Sequence, residues 1–312
     1  MPAYYRLLLS ALLIFPLTNA VSATGHCTDS ALALQVLGSG GPVADSVRAS
    51  SGYLVWDHGH ARVMVDAGGG TFQRFGAAKA RIEDLDLIAL SHFHADHAAE
   101  LPALLKSGFF SERVRALPVS GPAGNDRFPD TKEFLSALFD AKHGVFRYLS
   151  GFLDGSGGLF KLQPIIIDHT AKTTTKVINQ DGLKISARGV PHGMVPALAY
   201  RIDTPDGSIA FGGDQNGSDA GFIDFVQDVD VLVLHMAISD DSDSAAARLH
   251  ATPERLGEIA AKARPGKLVL SHFMARSLAK LDANVAKVRA RYHGPIVLAE
   301  DLGCVAADGK RD

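Results

Sequence analysis

Short apolar runs alternate with amphipathic stretches along most of the chain, the pattern of strands and helices stacked in α/β layers. The runs at 31–37, 52–56, 62–65, 85–90 and 116–120 are too short for helices and predict strands. Gly38-Ser39-Gly40-Gly41 breaks the chain after the first, and Gly68-Gly69-Gly70 after the third. Helices are expected at 98–106 and 131–141. The second half repeats the theme, with strands at 164–167, 183–188, 197–202, 209–211, 229–234, 268–270 and 296–299. Its helices are expected at 253–263 and 279–292, the former opened by Thr252-Pro253, an N-cap residue followed by proline at the first helical position. In 144–162, glycines interleave with Phe146, Tyr148, Phe152 and Phe160. That segment reads either as an apolar flap over a pocket or as an ordinary surface helix and loop. No repeat or linker interrupts the pattern, so residues 24–312 are expected to form a single domain of two halves.

Composition adds bounds. At 312 residues and 46% hydrophobic, the chain can bury a sizeable core. A formal charge of −3 and the lack of any Lys/Arg-rich run argue against a nucleic-acid partner and favour a small-molecule substrate. Arg6, the apolar stretch 7–17 and the small residues Val21-Ser22-Ala23 read as a cleaved signal peptide over 1–23. The apolar stretch falls short of the roughly 20 residues that span a bilayer, so no membrane anchor is expected. These features imply a periplasmic or secreted protein. Its two cysteines, Cys27 and Cys304, invite a disulfide in an oxidising compartment. The sequence leaves a homodimer open.

The strongest chemical signal is His92-Phe93-His94-Ala95-Asp96-His97, directly after an apolar strand. Imidazoles and a carboxylate crowded at a strand end are costly to bury without a cation to bind. Neutral imidazole and carboxylate suit zinc, with His92 and His94 converging on one ion and Asp96 and His97 turning toward a second. Three more ligand types follow apolar strands: His192, Asp214 and His272. Open α/β sheets gather their sites at such strand ends.

With these residues in place, the chain resembles the metallo-β-lactamase superfamily, and within it the branch of ribonuclease Z and its arylsulfatase-like relatives. The further matches are Leu37-Gly38-Ser39-Gly40-Gly41, Asp66-Ala67-Gly68-Gly69-Gly70-Thr71, Leu101-Pro102-Ala103-Leu104-Leu105, Gly121-Pro122-Ala123-Gly124 and His250-Ala251-Thr252-Pro253. The resemblance implies a four-layer αβ/βα sandwich and two zinc ions per chain. It gives His92, His94 and His192 to one ion and Asp96, His97 and His272 to the other, with Asp214 bridging. Asp66 would orient ligand histidines from behind, and His250 would assist at the leaving oxygen. His235 would support the ligands or pack beside them.

Two departures stand out. The tRNA-processing enzymes carry a long arm between the positions matching His192 and Asp214, whereas here that interval is short. Met236 stands where the family usually has glutamate. Di-iron relatives carry glutamate at the position of His94, so zinc is favoured, with manganese and iron left open.

The expected reaction is cleavage of a phosphodiester or an aryl sulfate ester by a metal-bound hydroxide, with Asp96 and His250 as the catalytic groups. Alternatives on the same site are hydrolysis of a carbonyl ester, lactone or β-lactam, and hydrolytic dehalogenation. From a different class, the fold could serve a non-catalytic periplasmic binding protein. His58 and His60 read as solvated turn residues, and His143, His169 and His293 receive no role.

Overall fold

The computed structural model describes residues 27–44 and 47–307; the export segment expected at 1–23 lies outside them. Among the described residues, fourteen strands form two seven-stranded sheets. The first runs β1 (Leu32–Gly38), β2 (Gly52–Asp57), β3 (His60–Val65), β4 (Leu87–Ala89), β5 (Leu117–Pro122) and β6 (Leu162–Ile167). The second runs β7 (Thr175–Gln180), β8 (Leu183–His192), β9 (Val195–Thr204), β10 (Gly207–Phe211), β11 (Val231–His235), β12 (Lys267–Ser271) and β13 (Ile296–Leu298). The last strand, β14 (Cys304–Ala306), returns to pair with β1 at the edge of the first sheet. Strands β3 to β6 are parallel, as are β10 to β13; the others pair antiparallel.

Helices α1 (Thr71–Ala77), α2 (Ala95–Ala98), α3 (Leu101–Gly108), α4 (Thr131–Phe139) and α5 (Gly151–Asp154) belong to the first half. Helices α6 (Ala220–Phe225), α7 (Ser244–Leu249), α8 (Pro253–Ala263), α9 (Ala275–Leu278) and α10 (Leu281–Arg289) belong to the second.

The two-residue period of the strands sorts side chains between layers. Leu32, Leu34 and Val36 of β1, Tyr53 and Val55 of β2, and Val63 and Val65 of β3 join one core with the second sheet. The alternate residues Ala33, Leu37, Leu54, Trp56 and Met64 face a separate core under Leu101, Leu104 and Leu105 of α3 and Leu135 and Phe139 of α4. On the far side, α8 packs Leu256, Ile259 and Ala260 into the first of these cores. The layers therefore run helix, sheet, sheet, helix, as expected for the αβ/βα sandwich.

Local departures have local causes. The helix expected at 98–106 is broken into α2 and α3, because Pro102 opens a new helix in its first turn. Asp96 and His97 lie on α2, which begins at Ala95, before the expected helix start. Strands β7 and β14 were not legible: β7 is a polar, half-exposed edge strand, and β14 has three residues. Residues 144–162 are no flap as a whole, since Leu149, Phe152 and Phe160 are buried in the core beneath α4. Cys27 and Cys304 form the disulfide, with Cα atoms 5.4 Å apart across 277 positions of sequence.

Candidate metal centre

Every expected ligand sits at the same edge of the sandwich, just past the end of a strand. Asp66 follows β3, His92 follows β4, His192 ends β8, Asp214 follows β10, His235 ends β11 and His272 follows β12. Parallel strands of equal reach deliver their ends to one rim, and the C-terminal ends of β4, β11 and β12 converge there. Two of these residues hold left-handed backbone, Asp66 at φ 60° and His272 at φ 56°. Such conformations cost a side-chain-bearing residue on the order of 1–2 kcal/mol and concentrate at functional sites. His272 also needs Gly41, because a Cβ there would meet its Cε1 at 2.7 Å. That close approach explains a glycine of the 37–41 motif.

The donor atoms gather in two sets that share Asp214. His92, His94 and His192 present one group of convergent nitrogens, and Asp96, His97 and His272 present a second. His92 Nε2 lies 3.0 Å from His94 Nδ1, and His97 Nε2 lies 3.2 Å from His272 Nε2, which is itself 3.2 Å from Asp96 Oδ2. Asp214 Oδ2 stands 3.7 Å from His192 Nε2, 4.0 Å from His92 Nε2 and 3.6 Å from His97 Nε2. Its Oδ1 is 3.5 Å from His272 Nε2.

A cradle of supporting contacts fixes which nitrogen of each ring faces inward. Asp66 accepts from the Ser91 backbone N–H through Oδ1 at 2.7 Å and from the Ser91 hydroxyl through Oδ2 at 2.9 Å. His97 Nδ1 lies 2.7 Å from the same Oδ2, so its Nε2 is left toward the centre. With its proton given to Asp66, Ser91 Oγ accepts from His92 Nδ1 at 3.0 Å, which frees His92 Nε2 in turn. His192 Nδ1 donates to the Leu249 carbonyl at 2.9 Å. His235 Nδ1 lies 2.6 Å from Asp214 Oδ1, while its Nε2 lies 3.1 Å from the Tyr53 hydroxyl. His235 thus supports the shared carboxylate.

The electrostatics suit a cation. Burial holds His92 well below the usual imidazole range and lowers His94 as well, with crowding by other histidines adding to both, so their lone pairs stay free. Burial pushes Asp214 and Asp96 upward, but the surrounding histidines outweigh it and keep both carboxylates ionised. His97 is held high against burial by Asp66 and Asp214, so without a cation it carries a proton that a metal would displace. Among the described residues His192 Nε2, which faces the centre, is buried without a partner, and such an atom is costly unless a ligand meets it. The residues present fit a divalent metal.

His250 is buried beside this cluster, just before α8. Among the described residues its Nδ1 has no partner; it lies 3.9 Å from Asp214 Oδ2, and its ring centre is 5.3 Å from that of His192. Burial lowers it to about 4. Ser91, Tyr53 and the Leu249 carbonyl were missed in the sequence reading; only Ser91, adjacent to His92, carried a signal there. His58 and His60 sit in an exposed turn away from the centre, with His58 2.9 Å from Asp206.

The model of the "Beta-lactamase superfamily domain" matches residues 61–273. Over 287 residues, the chain is 27% identical to the ribonuclease Z of Mycobacterium avium, covering 88% of this chain and 97% of that protein. Among solved structures, a metallo-beta-lactamase fold protein of Bacillus subtilis superposes with a TM-score of 0.68 at 20% identity, over 88% of this chain and 98% of that one. The short form of human tRNase Z superposes with a TM-score of 0.66 at 19% identity, over 88% and 99%. These findings overturn the expectation that a nucleic acid is excluded as partner, for the similar proteins are named ribonucleases. A basic run along the chain is not required for such a partner, because folding can gather cations from distant positions.

Proposed function

We propose that this chain, which belongs to the beta-lactamase superfamily and is a metal-dependent hydrolase, cleaves phosphodiester bonds, those of RNA among them. The observation that carries the reading is the pair of donor sets sharing Asp214, on a chain whose relatives are named ribonuclease Z. Two zinc ions are the occupants we infer, one for His92, His94 and His192 and one for Asp96, His97 and His272. When bound, such ions activate water and neutralise charge on the substrate.

The chain's own groups do the rest. Asp66 and Ser91 orient His92 and His97. Asp96, kept ionised by its histidines, accepts the nucleophile's proton at its carboxylate. His250 is neutral near pH 7, so it acts as a hydrogen-bond donor to the developing oxyanion rather than as a proton source. Between Val195 and Phe211 the chain forms only the β9–β10 hairpin, so no long arm extends from this interval. That favours a short or flexible RNA over a folded one gripped at a distance.

Export is part of the proposal. Its support is the apolar segment 7–17 with small residues after it, and the Cys27–Cys304 disulfide, a bond that persists in oxidising compartments. Among the described residues no helix is long and apolar enough to cross a membrane.

The test is turnover of bis-p-nitrophenyl phosphate, an oligoribonucleotide and p-nitrophenyl sulfate, with and without chelator. Chelator-sensitive cleavage of the first two is expected. Turnover of the sulfate ester alone would replace the phosphodiester reading.

A further inference from the structure

His272 is held differently from the other buried histidine ligands. His97, His92 and His192 each have the nitrogen turned away from the centre tied to a partner, which is Asp66, Ser91 or the Leu249 carbonyl. His272 turns Nε2 toward Asp96, His97 and Asp214, and its far nitrogen, Nδ1, is buried with no hydrogen-bond partner among the described residues. No hydrogen bond therefore sets the angle of this ring, and packing has to do it. The packing surface is the backbone that leaves β1. A Cβ on Gly41 would come within 2.7 Å of His272 Cε1 and 3.0 Å of its Nδ1.

That backbone is tied to the residue after His272. The Phe273 N–H donates to the Ser39 carbonyl at 2.8 Å, and the Gly41 N–H donates to the Phe273 carbonyl at 3.1 Å. One carboxylate then anchors the strap to the rest of the molecule. Asp301, in the turn between β13 and β14, accepts through Oδ1 from the Ser39 N–H at 3.0 Å and the Ser39 hydroxyl at 2.8 Å. Its Oδ2 accepts from the Ala49 N–H at 2.7 Å and lies 2.6 Å from Arg74 Nε of α1. Ala49 passes the hold back, since its carbonyl accepts from the Gly40 N–H at 2.8 Å. Arg48 closes the cluster: its Nη1 donates to the Ser39 hydroxyl at 2.6 Å, and its guanidinium lies 4.9 Å over the Phe273 ring. The turn carrying Asp301 is itself docked on β1, where the Leu302 N–H donates to the Val36 carbonyl at 2.7 Å.

We propose that Asp301, which touches none of the metal donors, is the positioning residue for the set Asp96, His97 and His272. It acts on His272 through Ser39, Phe273 and Gly41. An ionised acceptor holding two backbone N–H groups and a guanidinium makes strong, directional contacts, which suits it to fix a backbone rather than to decorate a surface. Without it the Ser39 and Ala49 N–H groups lose their acceptor, the strap is free to shift, and the His272 ring loses the surface that sets its angle. The set His92, His94 and His192 has its own supports in Ser91 and the Leu249 carbonyl, so it is untouched. This rests on the two-metal reading above and extends it to a residue outside the centre.

The experiment titrates zinc by calorimetry into chelator-stripped wild type, Asp301→Ala, His272→Ala and Arg113→Ala. The wild type is expected to show two binding steps, and His272→Ala identifies the step that depends on His272. Asp301→Ala is expected to weaken that step about tenfold or more and to leave the other within about threefold. Arg113 ties the Ile82, Leu85 and Ala116 carbonyls at the opposite ends of β4 and β5, so Arg113→Ala reports lost stability without lost positioning, and both steps are expected to persist. If Asp301→Ala does not fold, Asp301→Asn replaces it with the same expectation, since the amide keeps an acceptor for Ser39 but loses the one shared by Ala49 and Arg74. Equal weakening of both steps, or of neither, overturns the role of Asp301 and leaves the metal centre standing. A wild type that binds fewer than two zinc ions overturns the two-metal reading, and this proposal with it.

Discussion

Asp66 Oδ2 lies 2.7 Å from His97 Nδ1, and this contact decides which nitrogen of His97 faces the metal centre. Replacing Asp66 by alanine removes it together with both bonds from Ser91, so the rings of His97 and His92 lose their fixed orientation. Metal affinity is expected to fall about 10–100-fold, as for other supports behind metal ligands. Competition with a chromophoric chelator measures it; an affinity equal to the wild type would show that Asp66 orients nothing.

Asp214 and His250 are expected to separate metal loading from rate. Asp214→Ala removes the carboxylate common to both donor sets and should lower both metal content and turnover. His250→Ala should keep its metal and lose roughly 10²-fold in kcat, the scale of one lost oxyanion donor. Elemental analysis beside steady-state kinetics distinguishes them. Full activity in His250→Ala would remove its role.

Chelation should destabilise the whole domain. The centre ties together the ends of β3, β4, β8, β10 and β12, and a metal that binds only the folded state stabilises it by mass action, about 2.7 kcal/mol at a hundredfold excess over Kd. A lower melting temperature in EDTA, restored by zinc, is the expected result. Identical melting curves would contradict a metal-loaded fold.

The disulfide bridges Cys27, in a single helical turn before β1, to edge strand β14 across 277 positions of sequence. The Cys27→Ser/Cys304→Ser variant is expected to lose about 2–5 kcal/mol, read from urea unfolding. A variant as stable as the wild type would leave the bond without a structural role.

Alkaline pH should weaken the fold through its buried phenols. Burial pushes Tyr292 up to about 12 and raises Tyr53 and Tyr200 further. Unfolded phenols ionise near pH 10 while the folded ones hold their protons, so their contribution is whole below pH 10 and is lost as pH rises through the folded values. Tyr292→Phe also gives up the bond to the Pro265 carbonyl, but its stability should decline less steeply between pH 10 and 12. An unaltered slope in urea unfolding would exclude Tyr292 from this effect.

Much of the metal centre was legible because its ligands follow apolar strands. The motif 92–97 announces itself by crowding, and His192, Asp214 and His272 repeat the same position relative to their strands. His250 was legible only through resemblance. The break between α2 and α3 was signalled by Pro102, yet the amphipathic pattern ran through it. Residues 144–162 misled because glycine spacing describes the backbone, whereas the fate of Phe152 and Phe160 depended on a core built by α4 and β6.

By itself the sequence pointed to α/β layers and to candidate ligand types at strand ends, since both are written as periodicity and residue type along the chain. The four-layer order and the division of ligands came from the resemblance. Tertiary structure alone decided the tautomers of the ligands, through Asp66, Ser91 and the Leu249 carbonyl, and brought Tyr53 to His235. Local pattern reports what a residue is and which face it takes. Which distant groups meet there is settled only when two sheets close on each other and their strand ends share a rim.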